Sequence, residues 1–148
     1  MKNHFVRTSL LAAFCWALAT GLMPAPARAD GYQVIANASV GAASLAKAQI
    51  SQMFLKKLGK WPDGKPVVAC DQAKSAAIRD AFSKAVHGRG AAAIVAFWQQ
   101  QIFSGADVPP AEKATEAEVI AFVKATPGAI GYVSAGADLG GAKVITVN

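Results

Sequence analysis

The segment Thr126-Pro127-Gly128-Ala129-Ile130-Gly131-Tyr132-Val133 restricts the fold of this chain more than any other stretch. Proline lacks an amide hydrogen and fixes its own φ, so no helix continues through Pro127, and Thr126 is pushed towards an extended conformation. Gly128 supplies the positive φ that the following turn requires. Ala129 to Val133 is a short apolar run of strand length, and Gly131 within it leaves room for another backbone or a ligand to come close. Read locally, this is a helix stop, a turn and a core strand, and the rest of the chain has to pack around it.

How much chain is left to do so depends on the first residues. Lys2 and Arg7 precede an apolar run from Ser9 to Leu22, Pro24 and Pro26 interrupt it, and Ala27-Arg28-Ala29 has the small-x-small pattern of a signal-peptidase site. The run is short for a membrane span. Residues 1–29 therefore read as an export signal that is cleaved, which leaves residues 30–148 as one domain with a modest core. The signal contains three of the fifteen basic residues and none of the nine acidic ones, so the remainder carries +3. It has no Lys/Arg block, which argues against a nucleic-acid partner, and its small positive excess mildly favours anions. Cys15 falls in the signal and is not placed as a lipoprotein cysteine. Cys70 is then alone, so no internal disulfide forms, and a buried thiol at a strand end is expected. His87 is the single histidine after the signal, which excludes a His-based metal cluster or nucleophile triad.

In chain order, Tyr32 to Ala36 reads as a first strand, and Asn37-Ala38-Ser39 leaves its carboxyl end. A helix is expected from about Ser44, a plausible N-cap, to Leu58, with Leu45, Ile50, Met53, Phe54 and Leu58 on one stripe and Gly59 as its stop. Lys60 to Pro66 is turn chemistry, in which Trp61 either caps the core or stacks on a ligand. Pro66 to Cys70 is a second strand, and strand–helix–strand suggests a β-α-β unit with both strands parallel. A helix from Ala76 to about His87 follows, ended by Gly88-Arg89-Gly90. The next runs from Ala91 to Phe103, with Ile94, Val95, Trp98, Ile102 and Phe103 as its apolar stripe. Val108-Pro109-Pro110 is an extended linker. Thr115-Glu116-Ala117-Glu118 is a capping box before a helix that buries Val119, Ile120, Phe122 and Val123. After the strand at Ala129, a Gly140-Gly141 turn leads to a last apolar run, Lys143 to Val147.

The loop Asp71-Gln72-Ala73-Lys74-Ser75 stands at a strand's carboxyl end and feeds a helix. Such a place offers free N–H groups and the positive end of a helix dipole, with Lys74, Ser75 and Arg79 as further donors for an oxyanion. The plainer alternative is that Asp71 or Ser75 caps the helix while Lys74 and Arg79 face water. The chain lacks a Walker loop, a dinucleotide-binding Gly fingerprint, metal-spaced ligands and a Gly-x-Ser-x-Gly elbow. Its carboxylates lie where caps and solvated faces account for them. Neither an enzyme nor a cofactor is expected.

Four ordered segments resemble the periplasmic phosphate-binding proteins of ABC importers. Phe54-Leu55-Lys56-Lys57-Leu58-Gly59-Lys60-Trp61-Pro62-Asp63-Gly64 is similar to that family's "IFLGK…W.DG" stretch. Pro66-Val67-Val68 with Arg79-Asp80-Ala81-Phe82 resembles the strand and helix after it, and Phe103-Ser104-Gly105 with Pro109-Pro110 the connector of short members. Glu118 to Val123 and Thr126 to Val133 match "V…TPGAIGYV". The resemblance implies an α/β fold: a single lobe of a periplasmic-binding-protein-like clamshell, with a short, mostly parallel sheet flanked by about four helices. It implies a periplasmic solute-binding protein that takes phosphate or a related oxyanion without covalent chemistry. The candidate ligands are Asn37, Ser39, Gln72, Lys74, Ser75 and Arg79, and the expected partners are an inner-membrane ABC permease or a membrane sensor. Two departures qualify this. The chain is about half a full receptor, and its loop Cys70 to Ala76 lacks the Gly-Thr pair of the family's "R.DGSGT". These departures motivate two other readings: a protein-interaction or sensory module that lost the ligand, and a homodimer of two lobes that rebuilds a cleft.

Overall fold

A computed structural model describes residues 31–148, so the expected export signal at 1–29 lies outside the described residues. Its strands are β1 (Tyr32–Ala36), β2 (Ser44–Leu45), β3 (Val68–Gln72), β4 (Ala111–Lys113), β5 (Ala129–Ser134) and β6 (Lys143–Val147). Its helices are α1 (Lys47–Phe54), α2 (Ala77–Phe82), α3 (Ala91–Phe103) and α4 (Glu116–Ala125), with a π-helical turn, Ser83–His87, continuing α2. The strands form one sheet in the order β2-β6-β1-β5-β3-β4. The expected α/β lobe with four helices is present, and three of the five strand pairings, β2·β6, β5·β3 and β3·β4, are parallel.

The segment from Ala129 onwards is central, as its apolar run requires: β5 lies between β1 and β3. β1 departs from expectation. It runs antiparallel to both neighbours, with Tyr32 opposite Ser134 and Ala36 opposite Ile130. It is therefore also antiparallel to β3, and the expected parallel β-α-β unit does not form. The predicted first helix is shorter at both ends: it stops at Phe54, and its expected start is taken up by a long-range strand pairing. Ser44 and Leu45 pair with Thr146 and Val147, so the chain is still extended there. Ala46 becomes the N-cap, and its N–H donates to the Gln49 side chain at 3.0 Å. Ser44 caps nothing.

Alternation along the strands sends residues to two faces. On one, Val34, Ala36, Ile130 and Tyr132 pack against Ile50, Met53 and Phe54 of α1 and Phe82 of α2. The Phe82 and Tyr132 rings stack at 3.8 Å. On the other, Ile35, Cys70, Ala129 and Val133 meet Val119 and Val123 of α4. Gly131 explains how closely α4 lies: a Cβ there would stand 2.8 Å from Val119 Cγ1 and 3.2 Å from Val123 Cγ2. Half of the expected capping box of α4 forms: Thr115 Oγ1 accepts from Glu118 N–H at 3.2 Å, but Glu118 Oε2 accepts from Ala114 N–H at 2.9 Å, one residue before the N-cap.

Trp61 settles into the core-cap role, 2 % exposed, and its indole N–H donates to the Gly128 carbonyl at 2.8 Å. Gly128 has φ +75°, and a Cβ there would lie 2.2 Å from the Pro66 carbonyl oxygen. The two loops, which are far apart in sequence, are thus locked face to face. Helix α3 spans the predicted residues, but its stripe is only half buried. Ala91, Ile94 and Trp98 are inside, whereas Ile102 is 52 % and Phe103 96 % exposed.

Candidate functional site

Because β1 and β3 run in opposite directions, their carboxyl ends lie at opposite ends of the sheet. Asn37 follows β1 and sits level with Ala129, its N–H donating to that carbonyl at 2.9 Å. Gln72 ends β3, which pairs Val68 with Ala129 and continues in parallel register towards Tyr132. The two positions are thus about four strand residues apart, roughly 13 Å. The structure brings Gln72, Arg79 and the Lys74–Ser75 loop together, and it leaves Asn37 and Ser39 at the far end.

Asn37 is buried and committed to the backbone. Its Nδ2 donates to the carbonyls of Val123 at 2.8 Å and Lys124 at 2.9 Å, satisfying the last turn of α4, and its Oδ1 accepts from Ser39 N–H at 2.9 Å. These helix-end carbonyls have no intrahelical partner, so a buried amide donor fits them well. Ser39 itself is exposed.

At the β3 end, strand and helix together form a buried polar network. Arg79 projects from α2 and is 3 % exposed. Its NH2 pairs with Asp71 Oδ2 at 2.9 Å, and its NH1 donates to Glu112 Oε2 at 2.8 Å and to the Gln72 carbonyl at 2.6 Å. Asp71 Oδ1 accepts from the Gln72 N–H at 2.8 Å and from the Tyr132 hydroxyl. The Gln72 side chain donates to the Tyr132 carbonyl at 2.9 Å. Arg79 Nε is the one buried side-chain nitrogen or oxygen among the described residues without a hydrogen-bond partner.

Burial pushes the Asp71 carboxyl above the usual carboxylate range, against the opposing pull of Arg79 and the Tyr132 hydrogen bond. Burial, reinforced by the neighbouring Asp71 charge, also pushes the Tyr132 phenol up. The Arg79 guanidinium is shared by two acidic side chains, Asp71 buried beside it and Glu112 at the exposed edge of the network. Lys74 and Ser75 lie outside this network and are exposed. The loop turns through Ala73 N–H to the Lys113 carbonyl and Ala76 N–H to the Ala73 carbonyl, both 2.9 Å. Ala76, not Asp71 or Ser75, occupies the N-cap of α2, and no side chain caps it. In a helix the first N–H groups, here those of Ala77 and Ile78, have no intrahelical acceptor.

Sequence reading missed Glu112 and the part played by Tyr132. Glu112 belongs to β4, a strand of three residues after a proline pair, too short for any periodicity. Tyr132 read as core, and its ring is core; only the register reveals that its hydroxyl reaches Asp71. Among the described residues no group of three or more His, Cys, Asp or Glu side chains could hold a metal ion. A cleft of about 480 Å³ lies at the other end of β3, between Met53, Lys56, Leu58, Val67 and the Pro109–Pro110 connector, away from Arg79.

Residues 8–146 match the profile of the PBP superfamily domain. No curated protein matches the sequence significantly. Among solved structures, the fold is similar to a putative phosphate ABC transporter substrate-binding protein from Clostridium perfringens with bound phosphate (TM-score 0.62, 20 % identity, 80 % of this chain and 45 % of that one). It is also similar to an ABC-type phosphate transport receptor from Vibrio cholerae (TM-score 0.62, 14 % identity, 80 % and 46 %). A third is a possible phosphate binding protein from Planctomyces limnophilus (TM-score 0.60, 14 % identity, 80 % and 42 %). The chain spans less than half the length of each.

Proposed function

We propose, from the premise that the chain belongs to the PBP superfamily domain family, that it is a periplasmic solute-binding protein for phosphate or a related oxyanion. The anion is held without covalent chemistry by the Ala73–Ala76 loop and the first turn of α2. The observation that carries this reading is the uncapped start of α2 beside exposed Lys74 and Ser75, at the carboxyl end of a sheet strand. Backbone N–H groups there suit an oxyanion, and Lys74 and Ser75 add charge and a hydroxyl. In this reading Gln72 and Arg79 form the rigid floor of the site, and Asn37 and Ser39 contribute to the fold rather than to the ligand. Delivery to an inner-membrane ABC permease, with residues 1–29 as the export signal, completes the proposal. Its support from known proteins is the phosphate bound to the similar Clostridium perfringens protein and the similarity to the Vibrio cholerae phosphate transport receptor.

Isothermal calorimetry on the exported protein tests it. Saturable heat with millimolar phosphate or sulfate, lost in Lys74→Ala/Ser75→Ala, is the expected result; no heat with either anion refutes it. A second reading is favoured by one observation, the engagement of Arg79 by ion pairs with Asp71 and Glu112 and a hydrogen bond to the Gln72 carbonyl. An arginine so engaged has little left for a ligand, as in a module that kept the lobe and now contacts a membrane transporter or sensor. Capture of such a membrane partner equally well with and without phosphate would favour this second reading.

A further inference from the structure

Helix α3 differs from the other surface helices in charge. From Ala91 to Ala106 the chain has no charged residue, although α1 carries Lys47 and α4 carries Glu116, Glu118 and Lys124. One side of α3 packs through Ala91, Ile94 and Trp98. The side opposite is exposed, and at helical spacing it presents Ala92, Ala96, Gln99 and Phe103 in one stripe, with Phe103 96 % exposed. A helix of thirteen residues is about 20 Å long, and solvated helices normally carry charges on such a face. Ile102 and Val108, 52 % and 58 % exposed, extend the apolar surface past the helix end.

We infer that this stripe is a homodimer surface, covered by α3 of a second copy in antiparallel orientation. The sequence of the stripe is complementary to itself. An antiparallel two-fold centred between Phe97 and Trp98 sets Phe103 against Ala92 of the second copy, and Gln99 against its Ala96. Large residues then face small ones at both ends, so the helix axes can approach closely. The Gln99 amide, donor and acceptor at once, sits near the dyad where its counterpart can meet it. Charge also favours a second copy over an acidic or basic partner. Residues 30–148 carry +3, so two copies repel over much of their surface, but no like charges meet across α3. This dimer needs no anion, and its test is independent of the phosphate reading.

Sedimentation velocity on the exported protein, run from low to high micromolar concentration with and without phosphate, tests it. The expected result is a monomer–dimer equilibrium unaffected by phosphate. Ala92→Lys and Phe103→Glu, both at exposed positions, should each weaken dimerisation at least tenfold without lowering the melting temperature of the dilute monomer. Combined in one chain they should recover much of the loss, because the antiparallel register sets them opposite each other. A protein monomeric at every concentration overturns the inference. So does a dimer indifferent to both substitutions, or a double variant no better than the singles. Binding of the stripe to anionic vesicles by a protein that stays monomeric would assign the surface to a membrane instead.

Discussion

Replacing Gly128 by alanine perturbs the one point where the Trp61 loop and the start of β5 are locked together. Three costs follow from the geometry. At φ +75° an L side chain pays about 1–2 kcal/mol for the left-handed region. The new Cβ would stand 2.2 Å from the Pro66 oxygen, so the turn must open by about 1 Å to reach an ordinary carbon–oxygen contact. That movement strains the two hydrogen bonds accepted by the Gly128 carbonyl, from Trp61 Nε1 at 2.8 Å and Val68 N–H at 3.1 Å. Each is worth about 1 kcal/mol, and a buried indole N–H left unpaired costs about 1–3 kcal/mol. Together the loss is about 3–5 kcal/mol, out of roughly 6–18 kcal/mol for a domain of this size. The variant should still fold and should melt about 10–20 °C lower. Two companions separate the causes by urea or thermal melts. Gly64 also has positive φ (+85°) but open space around it, so Gly64→Ala should lose only about 1 kcal/mol. Asn tolerates the left-handed region but keeps the Cβ, so Gly128→Asn should be nearly as damaging as alanine. If Gly128→Ala is no worse than Gly64→Ala, the lock between the loops does not contribute what the geometry implies.

Asn37→Ala should destabilise the protein by about 1–3 kcal/mol in urea melts with no anion present, because the carbonyls of Val123 and Lys124 lose their donor; Asn37→Asp should be worse, since a carboxylate would face those carbonyls. Arg79→Met should cost about 3–5 kcal/mol by uncovering Asp71, and adding Asp71→Asn should restore part of that in the same assay. His87 is half-buried beside the Phe54 and Phe82 rings and shares a 2.8 Å hydrogen bond with Ser51, and burial pushes its ring down to about 4 from 6.5. The unfolded chain therefore binds more protons between those values, so stability present above pH 6.5 falls as pH drops towards 4, by up to about 3 kcal/mol. Melts of His87→Phe should lose that part of the slope. Burial pushes the Cys70 thiol up to about 12, so a thiol reagent should label the folded protein at least ~100-fold more slowly than the denatured one.

What the sequence made legible was governed by local chemistry. The Pro127–Gly128 stop, the Thr115 cap and the apolar runs of β1, β5 and β6 each contain their own cause, and each forms where it was read. The central place of β5 followed from its uninterrupted apolar character. The direction of β1 did not, because Tyr32 to Ala36 has the same composition whichever way it points, and direction is set by partners about a hundred residues away. That reversal also separated the candidate ligands, since two strand ends that looked equivalent fall at opposite ends of the sheet. β2 and β4 are too short to show a period. The exposure of Ile102 and Phe103 was hidden because an apolar stripe looks the same whether its own chain or a second copy covers it. The Arg79 network was invisible for a related reason: Asp71, Glu112 and Tyr132 lie in three separate segments that meet only after the sheet has formed.

The position of β1 has a consequence for how the chain comes to be folded. Among the described strands it comes first in sequence, yet both of its neighbours, β5 and β6, follow about a hundred residues later. At about 5–20 residues per second, Tyr32 to Ala36 waits roughly 5–20 s for a hydrogen-bonding partner. During that interval a five-residue strand with Val34, Ile35 and Ala36 destined for full burial has both edges open. Closing loops of about a hundred residues also makes the native pairing slow by its topology. The architecture that puts this early strand in the middle of the sheet therefore leaves the nascent segment dependent on being kept apart from others until β5 and β6 arrive.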